Sequence, residues 1–267
     1  MKLGHRMIVD TRSMTEVTPL YTGEYDDAKI RFFIALMDEG SVFLDIGANV
    51  GFYTVPLARV AQQKHGKVFA FEPLPSNFLR LQENISLNRL GETVRLIPVG
   101  LSSSSGSATI TLREDFLDGG ETGNAAILIA DGADGKFPTR QIQLETLDGL
   151  TGAEIDRVDL IKVDVEGHED QVLKGARNTI ERQRPIITIE VGGSYFRRRG
   201  INLYNEVRST LPAGYRAYMP VPSSRIMGDD RFSSLKEVVS FDVDKTDNAF
   251  LIPDEKREIV GRITSLR

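Results

Sequence analysis

Between residues 41 and 191, short runs of β-branched and aromatic residues alternate with stretches of helical period. Val42-Phe43-Leu44-Asp45-Ile46 predicts a buried strand ending in glycines, followed by a helix over residues 52–61. Lys67-Val68-Phe69-Ala70-Phe71 predicts a second strand. Over residues 75–88, Phe78, Leu81, Ile85 and Leu87 fall toward one side of a helix whose far end suits Gly91. Residues 94–99 predict a third strand. Residues 107–112 alternate Ala108, Ile110 and Leu112 with Ser and Thr, the mark of a half-exposed strand. Three further strands are predicted over 141–147, 158–165 and 185–191, with an amphipathic helix over 170–182. The pattern then gives a helix over 203–211, a strand around 215–219, a final strand over 249–253 and a charged terminal helix.

Strands and helices alternating at this spacing predict an α/β fold, a doubly wound, seven-stranded and mostly parallel sheet with helices on both faces. Residues 1–40 read as an N-terminal extension or cap, 41–253 as the main domain and 254–267 as a C-terminal helix. Residues 113–139 are rich in Gly and Asp and have little period, which reads as an inserted lid loop.

Composition narrows the chemistry. With 33 Lys and Arg against 38 Asp and Glu, the net charge is −5, which disfavours a nucleic-acid partner. Cysteine is absent, which excludes disulfides, thiolate nucleophiles and Cys-type metal centres. There are only three histidines, His5, His65 and His168, so a catalytic metal would rest mainly on carboxylates. No apolar run reaches the ~20 residues of a membrane span. The expectation is a soluble, cytoplasmic protein, with homo-oligomerisation left open.

In open parallel sheets ligands bind outside the carboxyl ends of the strands. The first strand ends in Asp45-Ile46-Gly47-Ala48-Asn49-Val50-Gly51, and Gly47 and Gly51 let the backbone approach a bound molecule. A dinucleotide fingerprint wants glycine where Asn49 and Phe52 stand, so a pyrophosphate has less room. Asp45 suits an amine-bearing ligand. The second strand ends in Phe71-Glu72-Pro73, with Glu72 placed to accept both hydroxyls of a ribose. Together these describe S-adenosylmethionine.

The chain resembles the FkbM family of S-adenosylmethionine-dependent methyltransferases. The likeness rests on residues 42–54, on Ala70-Phe71-Glu72-Pro73, on Asp164-Val165-Glu166-Gly167-His168-Glu169 and its flanks, and on Ile189-Glu190-Val191. It implies a Rossmann-like class I methyltransferase fold and O-methylation of sugar or secondary-metabolite hydroxyls. The acceptor would be a small molecule or glycoconjugate. Asn49, Phe52 and Pro73 join the cofactor set through these motifs. The resemblance also suggests that the N-terminal segment folds over the cofactor, where Glu24 meets the methionine amine. The chain departs from the family pattern at Gly100-Leu101-Ser102-Ser103.

Methyl transfer to an alcohol needs a positioned base or a metal ion. His168, the histidine nearest a predicted strand end, is the expected general base. Asp164 and Glu190 close neighbouring strands. They either share a magnesium ion with the substrate or, as favoured here, act without metal: Asp164 on cofactor or substrate, Glu190 orienting His168 or a sugar hydroxyl. Glu166 and Glu169 read as first-turn acids of a helix. Arg197-Arg198-Arg199 reads as a solvated turn rather than a phosphate site, Tyr195 and Phe196 as a sugar-stacking wall or core, and Asn124 as a lid residue. Two alternatives remain: a nicotinamide-dependent oxidoreductase, and a non-catalytic S-adenosylmethionine-binding protein.

Overall fold

The computed structural model describes residues 1–112, 125–128, 135, 137–192, 194–222, 232–242 and 247–262. β1 (Val42–Ile46), β2 (Lys67–Phe71) and β3 (Val94–Ile97) are parallel neighbours. Four strands of a separate small sheet follow: β4 (Gly100–Leu101), β5 (Gly106–Leu112), β6 (Ala125–Ile127) and β7 (Thr139–Glu145), in the order β4-β7-β5-β6. The chain returns to the main sheet with β8 (Leu160–Val163) and β9 (Ile186–Val191), parallel to β1. It ends with β10 (Tyr215–Pro222), β11 (Phe232–Val238) and β12 (Asp247–Pro253), all antiparallel to their neighbours.

Among the described residues the main sheet has eight strands in the order β11-β10-β12-β9-β8-β1-β2-β3. The expected seven-stranded count is therefore one short. The missed strand is β11 at the sheet edge, where Ser233, Ser234, Lys236 and Glu237 mask its apolar side. From β1 the chain runs outward to β3, then re-enters beside β1 at β8. Winding thus reverses between β1 and β8, and the crevice outside their carboxyl ends is the expected ligand site.

Successive side chains of a strand point to opposite faces. Leu44 and Ile46 accordingly pack with Ile161, Ile187 and Phe196 on one face, while Phe43 packs with Val68, Phe33 and Phe250 on the other. The second layer is closed by helix α2 (Asp27–Leu36), which follows α1 (Met14–Thr22). Phe32 meets Phe250 edge-on at 4.6 Å, and Phe33 meets Phe43 at 5.0 Å.

Behind β1 and β2 lie α3 (Thr54–Gln63) and α4 (Pro75–Leu87). Arg80 of α4 grips Glu16 of α1 with two hydrogen bonds of 2.7 and 2.6 Å, and Glu16 is fully buried. This pair fixes α1 at the rim of the crevice.

The helix expected over 170–182 is two helices, Glu169–Gly175 and Arg177–Gln183, meeting at Ala176. Residues 125–127 of the supposed lid pair with β5, so that stretch is not wholly structureless; Asn124 lies outside the described residues. At the C-terminus a 3-10 turn at Asp254–Lys256 precedes the helix Glu258–Arg262. Among the described residues no helix is long and apolar enough to cross a membrane.

Candidate active site

The turn after β1 is held by two backbone hydrogen bonds, from Gly47 and Ala48 to the carbonyl of Phe71. Gly47 has φ +80°, and a Cβ there would stand 1.9 Å from the carbonyl oxygen of Asp164. Glycine is required because the turn nests directly against the end of β8. Asn49, at φ +50°, aims its backbone N–H at Glu72 Oε2 over 2.8 Å, and Leu74 donates to Oε1 over 3.0 Å. Each Glu72 oxygen therefore keeps a lone pair for a ligand hydroxyl.

Glu72 is 5% exposed, and burial pushes its carboxyl up to about 7. A folded carboxyl raised above its ordinary value favours folding at low pH and progressively less as pH rises through 7. We expect thermal stability of the ligand-free protein to decline between about pH 5 and 7, and Glu72→Gln to flatten part of that decline. The same variant should weaken S-adenosylmethionine binding by roughly ten- to a hundredfold, as expected for hydrogen bonds to a charged acceptor. Calorimetry on both proteins checks this; equal affinity would remove Glu72 from the site.

Asp45 does not line the cleft, contrary to expectation. It is wholly buried beneath the turn, accepts a 2.6 Å hydrogen bond from Thr54, and lies 3.2 Å from the ammonium of Lys162. Asp45 and Lys162 are register partners in the parallel β1–β8 pair, so the sheet itself brings them together. Lys162 Nζ also donates to the Gly47 carbonyl at 2.9 Å and lies 3.5 Å from Asp164. Burial alone would discharge this lysine, but the two aspartates hold its pKa above the ordinary value. Lys162 thus ties the glycine turn to the end of β8. The sequence carried one signal for it: a charge inside a strand buried on both faces must be paired.

The opposite rim is the segment from Asp164 to His168. Glu166 is not in a helix; it sits in the loop at φ +56°. Its carboxylate, with those of Asp164 and Glu190, forms a cluster whose oxygens lie within 4.8 Å of one another. Burial, then the charge of Asp164, pushes the Glu190 carboxyl well above the ordinary carboxylate range. Glu169 is buried and accepts backbone hydrogen bonds from Val165 (3.0 Å) and Gly167 (3.4 Å), fastening the loop from inside.

His168 starts the helix Glu169–Gly175, and its Nε2 meets Ser102 Oγ at 2.9 Å. Burial lowers its pKa to about 4, leaving the ring neutral. Arg199 is no solvated arginine: it donates to the Gly167 carbonyl and forms a bidentate pair with Asp170, bracing the loop. Tyr195 and Phe196 are buried, and the Tyr195 ring occupies the space beside Gly167.

Between these rims lies a cleft. Gly47, Asn49, Phe52, Glu72 and Pro73 line one wall, and Asp164 and His168 the other. Gly100, Leu101, Ile110, Ile142 and Leu144 make an apolar end, closed by the small sheet.

Four expected members are absent from the lining. Asp45 is beneath it. Gly51, at φ +98°, faces α4, where a Cβ would press within 2.7 Å of Leu81. Glu190 stands behind Asp164 and has no hydrogen bond to His168, whose partner is Ser102. Glu24 points outward to Lys2 at 2.7 Å with its side chain 46% exposed, because the turn at Gly23 delivers the next residue instead. That residue, Tyr25, lines the cleft and stacks on Phe52 with ring centres 4.2 Å apart. Thr15 and Asn77 also line it and were not anticipated.

The arrangement fits S-adenosylmethionine. Glu72 offers two acceptors to a ribose, the apolar end accepts a flat ring, and the buried carboxamide oxygens of Asn49 and Asn77, which have no partner among the described residues, suit ligand donors. The carboxylates suit a cationic ligand.

The chain is 32% identical to the hexuronic acid methyltransferase AglP of Haloferax volcanii over 62% of its length, and 30% identical to methyltransferase sdnD of Sordaria araneosa over 53%. It spans 61% and 62% of the lengths of those two relatives. The crystal structure of methyltransferase FkbM from Methylobacillus flagellatus shares the fold, with a TM-score of 0.51 and 19% identity over 93% of this chain and 57% of that one. The pattern of the methyltransferase FkbM domain matches residues 45–217, well over half of the chain, so the protein belongs to the FkbM methyltransferase family.

Proposed function

We propose that the chain is an S-adenosylmethionine-dependent O-methyltransferase that modifies a hydroxyl of a sugar or secondary metabolite. The observation that carries this reading is the facing pair across one cleft: Glu72 with two free acceptor positions, and His168 with a neutral ring. The cofactor supplies an electrophilic methyl carbon on a positively charged sulfur. Glu72 and the backbone around Gly47 hold it, while Lys162 keeps the turn in place. His168 accepts the proton that the acceptor hydroxyl releases as its oxygen gains the methyl group. Asp164, already facing Lys162, orients cofactor or acceptor.

The relative named for hexuronic acid supports a carbohydrate acceptor, free or in a glycoconjugate. The scheme uses no metal, because His168 takes the proton that a bound ion would otherwise help the hydroxyl to lose. The test is incubation with S-adenosylmethionine and either methyl glucuronide or methyl glucoside, with and without chelator. A hydroxyl acceptor gives a methyl ether that survives mild alkali and forms with chelator present. A product lost in alkali is a methyl ester and refutes hydroxyl methylation. Activity lost to chelator and restored by magnesium refutes the metal-free scheme.

A further inference from the structure

His168 is held at only one of its two ring nitrogens. Nε2 lies 2.9 Å from Ser102 Oγ, whereas among the described residues no group bonds Nδ1. Ser102 is 5% exposed and rigidly seated. Its backbone N–H donates to the Glu145 carbonyl at 2.9 Å, and its own carbonyl packs so closely on Gly175 that a Cβ there would come within 1.9 Å. The histidine side of the contact is equally fixed. The His168 carbonyl accepts from Gln171 and Val172, and Arg199 clamps the Gly167 carbonyl just before it. His168 lines the cleft and Ser102 does not.

A neutral imidazole carries one proton, and which nitrogen holds it decides what the other can do. With the proton on Nδ1, the ring would present a donor to the cleft and could not take a proton there. With the proton on Nε2, it donates to Ser102 and leaves a lone pair on Nδ1.

Two features favour the second arrangement. A neutral histidine side chain intrinsically prefers its proton on Nε2. In addition, the charged groups that act on the ring are Asp170 and Arg199, which are paired with each other at 2.7 Å. No carboxylate hydrogen-bonds Nδ1 to hold a proton there, as one does in a Ser-His-Asp triad.

We propose that Ser102 is a positioning residue that accepts the Nε2 proton of His168 and thereby keeps the Nδ1 lone pair directed into the cleft as the proton acceptor. This rests on the methyltransferase reading for its purpose, but not for its geometry. Ser102 thus supports the ring of His168 from behind.

The experiment is nitrogen-15 NMR of the histidine rings in the full chain near pH 8, without acceptor. Only three histidines occur, and His168→Gln assigns the signal. The expected spectrum has Nε2 protonated and Nδ1 bare in nearly all molecules. Ser102→Ala should produce a mixture of both tautomers. Ser103→Ala, which removes a neighbouring hydroxyl bonded to Gln171, should leave the spectrum unchanged.

A wild-type spectrum with the proton on Nδ1 overturns the proposal. So does a Ser102→Ala spectrum identical to wild type. If Ser102→Ala melts too early to measure, the wild-type spectrum alone decides. Failure of the functional reading looks different: the expected tautomer would be present, with no S-adenosylmethionine bound.

Discussion

Replacing His168 with alanine lowers the rate of methyl transfer to a hydroxyl by roughly a hundred- to ten-thousandfold, the usual contribution of a positioned acid–base group. Affinity for S-adenosylmethionine stays within about twofold of wild type, because the groups expected to hold the cofactor are Glu72 and the backbone of the turn after β1 rather than the His168 side chain. An acceptor hydroxyl is a very weak acid. Without a group to take its proton, the developing charge on oxygen must be discharged to water. The wild-type ring is neutral above about pH 4, so lowering the pH from about 8 to 6 should not suppress the rate by protonating His168. Single-turnover kinetics checks this directly, since it separates chemistry from product release. An alanine variant with full single-turnover rate would remove His168 from the chemistry.

The second large effect concerns stability. Lys162→Met leaves Asp45 and Asp164 without their buried counter-charge, with Asp45 wholly inaccessible to water. Removing one partner of a buried ion pair costs about 3–5 kcal/mol, because the remaining charge is stranded. For a chain of this size that corresponds to a drop of roughly 10 °C in Tm.

The cost should be mostly recovered in the double variant D45N/K162M, where neither charge of the fully buried pair remains and Asp164, still charged, is partly open to water. Calorimetric melting of the single and double variants measures it. If K162M does not fold, D45N alone gives the comparison. A K162M Tm within about 2 °C of wild type would show that the lysine does not hold the strand ends together.

What the sequence revealed follows from how locally each feature is encoded. Strands such as Val42–Ile46 and Ile186–Val191 are largely buried on both faces, so their runs are mostly apolar, interrupted by Asp45 in the first and by Thr188 and Glu190 in the second. The places of Gly47, Glu72 and Asp164 at the cleft were legible because each stands at the end of such a strand. Features that depend on pairing between distant segments were not. Lys162, inside a buried strand, signalled that it must be paired but not that its partner would be Asp45, and Ser102 carried no sign that it would meet His168.

Glu24 was misplaced by one residue, because the αL turn at Gly23 decides which of two adjacent side chains enters the cleft. Edge strand β11 and the short β6 were hidden for a related reason. Their polar or small residues satisfy a sheet edge without leaving a periodic signature.

The most direct check of the account is isothermal titration of the wild-type chain with S-adenosylmethionine, S-adenosylhomocysteine and NAD. Both sulfur nucleosides should bind at one site per chain while NAD gives no heat, since Asn49 and Phe52 occupy positions where a pyrophosphate would need glycine. Binding of NAD in place of the sulfur nucleosides, or of none of the three, would contradict the reading of the cleft between β1 and β8.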